Sequence, residues 1–97
     1  MKILAIEREV PGIRDDAFTP DLLRAEALRA WQLHRSGAVR ELYFRADRHA
    51  AVLVLECDDT DAARALLASL PLVEQGLIDF EMIPLAAYPG FERLFAG

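Results

Sequence analysis

The chain has 97 residues and a formal net charge of −5, from 11 lysine and arginine and 16 aspartate and glutamate residues. This acidic balance argues against a nucleic-acid-binding protein, which needs a basic surface to neutralise phosphates. The length suits a single domain over residues 1–97. The hydrophobic fraction of 54% is high for that size, so we expect part of the apolar surface to be buried between copies of the chain.

The sequence shows no membrane, disulfide or metal signature. Its N-terminal apolar run is short and interrupted by charges, unlike a signal peptide, and no stretch approaches transmembrane length. The single cysteine, Cys57, excludes an intrachain disulfide, and no Cys/His cluster predicts a metal site. We therefore expect a cytoplasmic protein that has no membrane partner.

The first half of the chain predicts a strand followed by a helix. Lys2–Glu9 begins with an unbroken apolar run, which is typical of a strand covered on both faces. Thr19 and Pro20 predict the start of a helix, because threonine caps the first N–H groups and proline suits the first turn. The helix is predicted to end at about Arg35, with Gly37 as its stop.

The second half predicts a hairpin, a helix and a last strand. Val39–Arg45 and His49–Cys57 are rich in β-branched and aromatic residues and are joined by a short polar turn. Asp59 is expected to cap a second helix, whose apolar residues recur at helical spacing and which Pro71 closes. A final strand is predicted over Leu77–Leu85.

The order β-α-β-β-α-β predicts a ferredoxin-like α+β fold, with a four-stranded antiparallel sheet and both helices on one face. Residues 52–55 of the third strand are apolar on both faces, so the second face needs a cover. We expect the same sheet of a second copy there, which makes a dimeric α/β barrel. The alternative is a monomer whose C-terminal tail covers this face.

The first helix carries two ionisable residues, Glu26 and His34, within its apolar stripe. Burial raises the pKa of a carboxyl group, and a raised pKa suits a general base that works near neutral pH. The alternative for Glu26 is an ion pair with an arginine of the sheet. For His34, near the helix C-terminus, the alternative to a functional role is an interaction with the last helix carbonyls.

The hairpin carries a second group of candidates. Strand alternation places four residues on one face: Val39, Glu41, Tyr43 and Arg45. We expect Tyr43, Arg45 and His49 to meet at one end of a cavity, where they would stabilise an enolate oxygen or bind a carboxylate. The alternative is that Arg45 belongs to a solvated turn with Asp47 and Arg48.

Three segments, together with the apolar third strand, have a specific pattern. They are Arg35-Ser36-Gly37, Arg40-x-Leu42-Tyr43 and Leu66-Leu67-x-Ser69-Leu70-Pro71-Leu72. In this combination the chain resembles the muconolactone δ-isomerase family over about residues 20 to 85. The resemblance implies a dimeric α/β barrel, often within a larger oligomer.

The resemblance also implies a reaction that needs neither metal nor organic cofactor. A base removes a proton next to the carbonyl of a small unsaturated lactone or related acidic metabolite, polar donors hold the dienolate, and the proton returns elsewhere. Glu26 aligns with an acidic residue of the family's first helix. The expected catalytic residues are Glu26, His49 and Tyr43, and the expected substrate-binding residues are Arg45, His34 and Trp31.

The chain departs from the family pattern around the expected pocket. Tyr43 stands where the family has tryptophan, and Arg48-His49 stands where a histidine and then an aromatic residue are expected. The segment Tyr88–Phe91 is unlike the family's tail. We therefore expect a remodelled pocket, and two other functions stay open: a cofactor-free monooxygenase on the same scaffold, and a module that only binds a small molecule.

Overall fold

The computed structural model describes residues 1–95, within which the chain forms four strands and three α-helices. They are β1 (Lys2–Glu9), α1 (Pro20–Ser36), β2 (Val39–Phe44), β3 (Ala51–Glu56), α2 (Thr60–Ala68), α3 (Pro71–Glu74) and β4 (Ile78–Leu85). Two 3₁₀ turns, Asp15–Ala17 and Gly90–Leu94, complete the regular structure. Over these 95 residues, no helix is both long and apolar enough to cross a membrane.

The four strands form one antiparallel sheet in the order β2-β3-β1-β4. On the two central strands, Ile3, Ala5, Leu53 and Leu55 share one face, which we call the inner face, and all four are buried. Helices α1 and α2 pack on this inner face through Leu33, Ala63 and Leu67. The predicted ferredoxin-like α+β fold, with both helices on one side, is confirmed.

The ends of α1 are set by local side-chain and backbone chemistry. The Thr19 hydroxyl accepts a hydrogen bond from the Leu22 N–H at 3.2 Å, and Pro20 is the first helical residue. The helix ends at Gly37, whose φ of 86° lies in the left-handed region that only glycine adopts without strain. These ends confirm the predicted helix start and stop.

The second helix differs from its prediction at its C-terminal end. Asp59 caps α2 as predicted, since its Oδ1 accepts a hydrogen bond from the Ala62 N–H at 2.7 Å. However, α2 ends at Ala68, and Pro71 begins the separate short helix α3. Proline has no N–H to donate inside a helix but suits a first turn, so it divides the segment. One consequence is that the Leu72 N–H faces the neighbouring helix α1.

A β-bulge in β2 changes the predicted face of one residue. Val39 pairs with Leu55, but Glu41 already pairs with Val54, so β2 contains one extra residue between the two pairs. Val39 is therefore fully buried in the core, and the prediction that it shares a face with Tyr43 is wrong. After the bulge, the side chains of β2 again alternate between the two faces of the sheet, but each lies on the face opposite to the one that uninterrupted alternation from Val39 would give. A period-two pattern in the sequence does not predict this change.

The other face of the sheet, which we call the outer face, is also apolar. No helix of the described chain packs on it, and its central side chains are only half-buried: Leu4, Ile6, Val52, Val54 and Ile83. An apolar sheet face of this kind is normally covered by a second layer.

The C-terminal segment after β4 exposes large apolar side chains. Tyr88 is 67% exposed and Phe95 is 83% exposed, and Phe91 and Leu94 are similar. The Tyr88 ring packs edge-on against Phe91, with centroids 5.0 Å apart, and it occupies the space that a Cβ at Gly90 would need. A tail that covered its own sheet would bury these rings, so the C-terminal segment does not cover the outer face of its own chain.

Candidate active site

A cavity of about 1110 Å³ opens between α1 and the inner face of the sheet. Most of its wall is apolar, including Leu23, Trp31, Leu42, Phe44, Leu53 and Phe80. A large, mainly apolar cavity with a few polar groups is typical of a small-molecule site. A second depression, between α2 and β4, measures about 70 Å³, which is room for a few water molecules only.

Glu26 projects from α1 into this cavity and is half-buried. Its Oε1 accepts a hydrogen bond from the Leu72 N–H at 2.9 Å. Within residues 1–95 it forms no ion pair, so the alternative of an arginine partner does not hold. Burial raises the pKa of Glu26 above its ordinary value of 4.5; the Leu72 hydrogen bond opposes this, and the negative charge of Glu7 adds to it.

Glu7 is a cavity residue that the sequence analysis missed. It projects from β1, and its Oε1 accepts a hydrogen bond from the Ala51 N–H at 3.1 Å, one residue beyond the last backbone pair of β1 with β3. The carboxylate thus replaces a strand partner at the point where the two strands separate. Period-two alternation from Ile3 and Ala5 places Glu7 on the inner face, and this pattern in the sequence could have identified Glu7 as a cavity residue.

The four residues with rings that are expected in the site, Trp31, His34, Tyr43 and His49, all line the cavity. His49 stacks on Phe44 with ring centroids 4.6 Å apart. The Nδ1 of His34 lies 3.0 Å from the Val39 carbonyl oxygen; because a carbonyl only accepts, Nδ1 carries the proton. Trp31 lies beside His34, with centroids 6.3 Å apart, and 57% of its surface is exposed at the cavity mouth.

The structure does not bring Tyr43 and Arg45 together with His49. Tyr43 borders the cavity, but strand alternation directs its ring to the outer face, where its hydroxyl donates to Glu41 Oε1 at 2.8 Å. Arg45 lies outside the cavity wall and donates to both carboxylate oxygens of Asp47, at 2.8 and 2.6 Å. The catalytic role of Tyr43 and the substrate-binding role of Arg45 stay predictions.

The arrangement suits proton transfer at carbon. A half-buried carboxylate with a raised pKa, in an apolar cavity that also holds imidazoles, can remove a proton next to a carbonyl and return it. Within the described part of the chain, no group of three or more His, Cys, Asp or Glu residues is placed to hold a metal ion. Burial raises the pKa of the Cys57 thiol, which is opposite to what a nucleophilic cysteine needs.

The raised pKa of Glu26 predicts a pH-dependent loss of stability. Because the folded chain binds this proton more tightly than the unfolded chain, its contribution to stability is present below pH 4.5 and is lost as pH rises through the folded pKa. We expect the free energy of unfolding of the wild type to fall, relative to Glu26→Gln, as pH increases above 4.5. The glutamine keeps an oxygen for the Leu72 N–H. Urea unfolding of both proteins from pH 4 to 8 measures this, and a pH-independent difference would contradict it.

Comparison with known proteins agrees with this geometry. The sequence matches the family model of muconolactone delta-isomerase over residues 4–90. It matches none of the curated proteins with which it was compared. Among solved structures it is similar to a muconolactone isomerase, with 27% sequence identity and a TM-score of 0.75, and the match covers 92% of each chain.

A second solved structure shares the architecture. It is the 5-chloro-2-hydroxyhydroquinone dehydrochlorinase from Burkholderia phenoliruptrix AC1100, in complex with 2,5-dihydroxybenzoquinone. The identity is 14% and the TM-score 0.66, and the match covers 93% of this chain and 98% of the other. At that identity the likeness shows the fold alone.

Proposed function

The chain belongs to the muconolactone delta-isomerase family, and from this we propose that it is an isomerase-like enzyme that moves a proton on a small unsaturated lactone or related metabolite. The observation that carries the proposal is Glu26, a half-buried carboxylate in the wall of a large apolar cavity. The Leu72 N–H holds one of its oxygens, which leaves the other free to reach a ligand.

The proposed reaction has two proton transfers and no net redox change. In muconolactone the ring double bond is conjugated with the lactone carbonyl, so the Glu26 carboxylate removes a proton from the ring carbon on the far side of that double bond. The electron pair is delocalised through the double bond onto the carbonyl oxygen to form a dienolate. The protonated Glu26 then returns the proton to the carbon next to the carbonyl, which shifts the double bond. His49 is the candidate donor to the dienolate oxygen, since its ring is exposed in the cavity wall.

The two other functions have less support. A module that only binds a ligand would be favoured by a Glu26 that is locked in an ion pair and by the absence of a cavity. The described residues have an open cavity, and Glu26 accepts only a backbone N–H there. Nothing in the cavity favours a monooxygenase over proton transfer.

The test is catalysis of lactone isomerisation by the purified protein in ²H₂O. We expect the wild type to isomerise muconolactone or its methyl ester, which changes the ultraviolet absorbance. Deuterium is expected at the carbon that receives the proton, in the fraction of turnovers in which the proton on Glu26 exchanges with solvent before it is returned. Both lactones are used so that a preference for the charged or the uncharged form does not decide the result. If a folded protein neither isomerises nor deuterates either lactone, the proposal is wrong.

We also propose that the working unit is a homodimer or a larger homo-oligomer, joined through the outer face. The apolar side chains of that face and the exposed rings of the C-terminal segment support the proposal, because single soluble chains rarely leave so much apolar surface in water. Sedimentation equilibrium is expected to give at least twice the mass of one chain.

A further inference from the structure

Apart from the phenol of Tyr43, the ionisable side chains that line the cavity are acids and histidines. They are Glu7, Glu9, Asp15, Glu26, His34 and His49. Over residues 1–95, no lysine or arginine side chain belongs to the wall. The cavity is therefore an acidic site, more so than the net charge of −5 for the whole chain requires.

Several arginines that are adjacent in sequence to wall residues interact with other groups, among them Arg8, which forms an ion pair with Asp79 at 3.0 Å. Arg45 is paired with Asp47, as described above, and Arg14 forms an ion pair with Asp16 at 3.1 Å. Arg29 donates to the Ser69 hydroxyl at 3.0 Å. Arg24, Arg35 and Arg48 are also adjacent in sequence to wall residues, but their side chains do not line the cavity.

The four acids fall into two pairs. Glu9 and Asp15 are exposed, whereas Glu7 and Glu26 are half-buried. Each of the half-buried carboxylates is held at one oxygen by a backbone N–H, which leaves its second oxygen as an acceptor for a ligand. Both also act on each other, since the charge of Glu7 contributes to the raised pKa of Glu26.

An anionic ligand would lose part of its hydration in this cavity and gain no cation in return. It would also lie within a few ångströms of carboxylates, where a like charge lowers affinity by about tenfold or more in a partly dry site. A neutral ring avoids both costs. It contacts the apolar wall, and any hydroxyl group on it can donate to the free carboxylate oxygens.

We infer that the substrate of this cavity is an uncharged unsaturated lactone or enol rather than a carboxylate-bearing one, and that Glu7 is a specificity-determining residue for this choice. The part of the inference that concerns the reaction rests on the proposed function. The part that concerns the charge of the ligand rests only on the residues of the cavity wall.

The kinetic test compares muconolactone, which carries a carboxylate, with its methyl ester, which has the same ring. We expect kcat/KM for the ester to exceed that for the acid by about tenfold or more. Glu7→Gln keeps an oxygen for the Ala51 N–H but removes one negative charge. It is expected to raise kcat/KM for the acid by about three- to tenfold and to change that for the ester much less. Comparing variants on the same lactone also removes the contribution of the ester methyl group.

The matched control is Glu74→Gln, because Glu74 is an exposed glutamate of α3 that does not line the cavity. It removes the same charge from the chain, and the ratio of the two kcat/KM values is expected to stay at its wild-type value. A ratio that changes equally in both variants would overturn the assignment to Glu7.

A binding measurement separates this inference from the proposed function. Trp31 is the single tryptophan and lines the cavity, so its fluorescence reports ligand binding without turnover. If neither lactone reacts, the proposed function is wrong, but tighter binding of the ester than of the acid still supports an uncharged ligand. If the acid binds as tightly as the ester, or more tightly, the inference is wrong whatever the turnover.

Discussion

Glu26→Gln is expected to lower kcat for lactone isomerisation by about 10²–10⁴-fold, the usual contribution of a positioned general base. Glutamine cannot take up the proton at any pH in the working range. It does keep an oxygen for the hydrogen bond from the Leu72 N–H, so the contact between α1 and α3 is retained. The loss should therefore appear in kcat, with little change in the circular dichroism spectrum or in ligand binding followed by Trp31 fluorescence.

The pH profile adds a second requirement for this role. In the wild type, kcat is expected to rise with pH through the raised pKa of Glu26, because only the carboxylate form accepts the proton. Any residual rate of Glu26→Gln should lack that step. The exposed Glu74→Gln again serves as the control, and its kcat should match the wild type. A Glu26→Gln protein with near-wild-type kcat would show that another group is the base.

Val54→Asp is expected to weaken self-association by at least about 1000-fold in Kd. Val54 lies near the middle of the outer face, paired across strands with Leu4. A two-fold interface contains the substitution twice, once from each copy, so two carboxylates are placed in an apolar contact. Burying an unpaired charge costs about several kcal/mol, and about 4 kcal/mol corresponds to 1000-fold in Kd.

The measurement is sedimentation equilibrium across a range of concentrations, beside a charge-matched control. Ala65→Asp adds the same charge on an exposed position of α2, away from the sheet, and its mass should equal that of the wild type. If Val54→Asp has the same mass as the wild type, the subunits associate through another surface. The exposed rings from Tyr88 to Phe95 would then be the next surface to alter.

The sequence by itself determined the elements of this protein, because their causes are local. The hydroxyl of Thr19 and the left-handed backbone of Gly37 set the ends of α1 from within a few residues. Helical periodicity alone then placed Glu26 on the side of α1 that faces the sheet. The unbroken apolar runs of β1 and β3 likewise indicated a sheet with two apolar faces.

Only the tertiary structure decided which residues of the site contact one another and which partners its polar groups have. The bulge in β2 turned Val39 into the core, and the separation of β1 from β3 gave Glu7 the Ala51 N–H as its partner. The break at Pro71 freed the N–H that holds Glu26. Each of these contacts joins residues far apart in the chain or depends on strand register, and side-chain spacing carries no information about either. The sequence therefore specified which residues could do chemistry, whereas the pairing of strands and helices decided which of them meet.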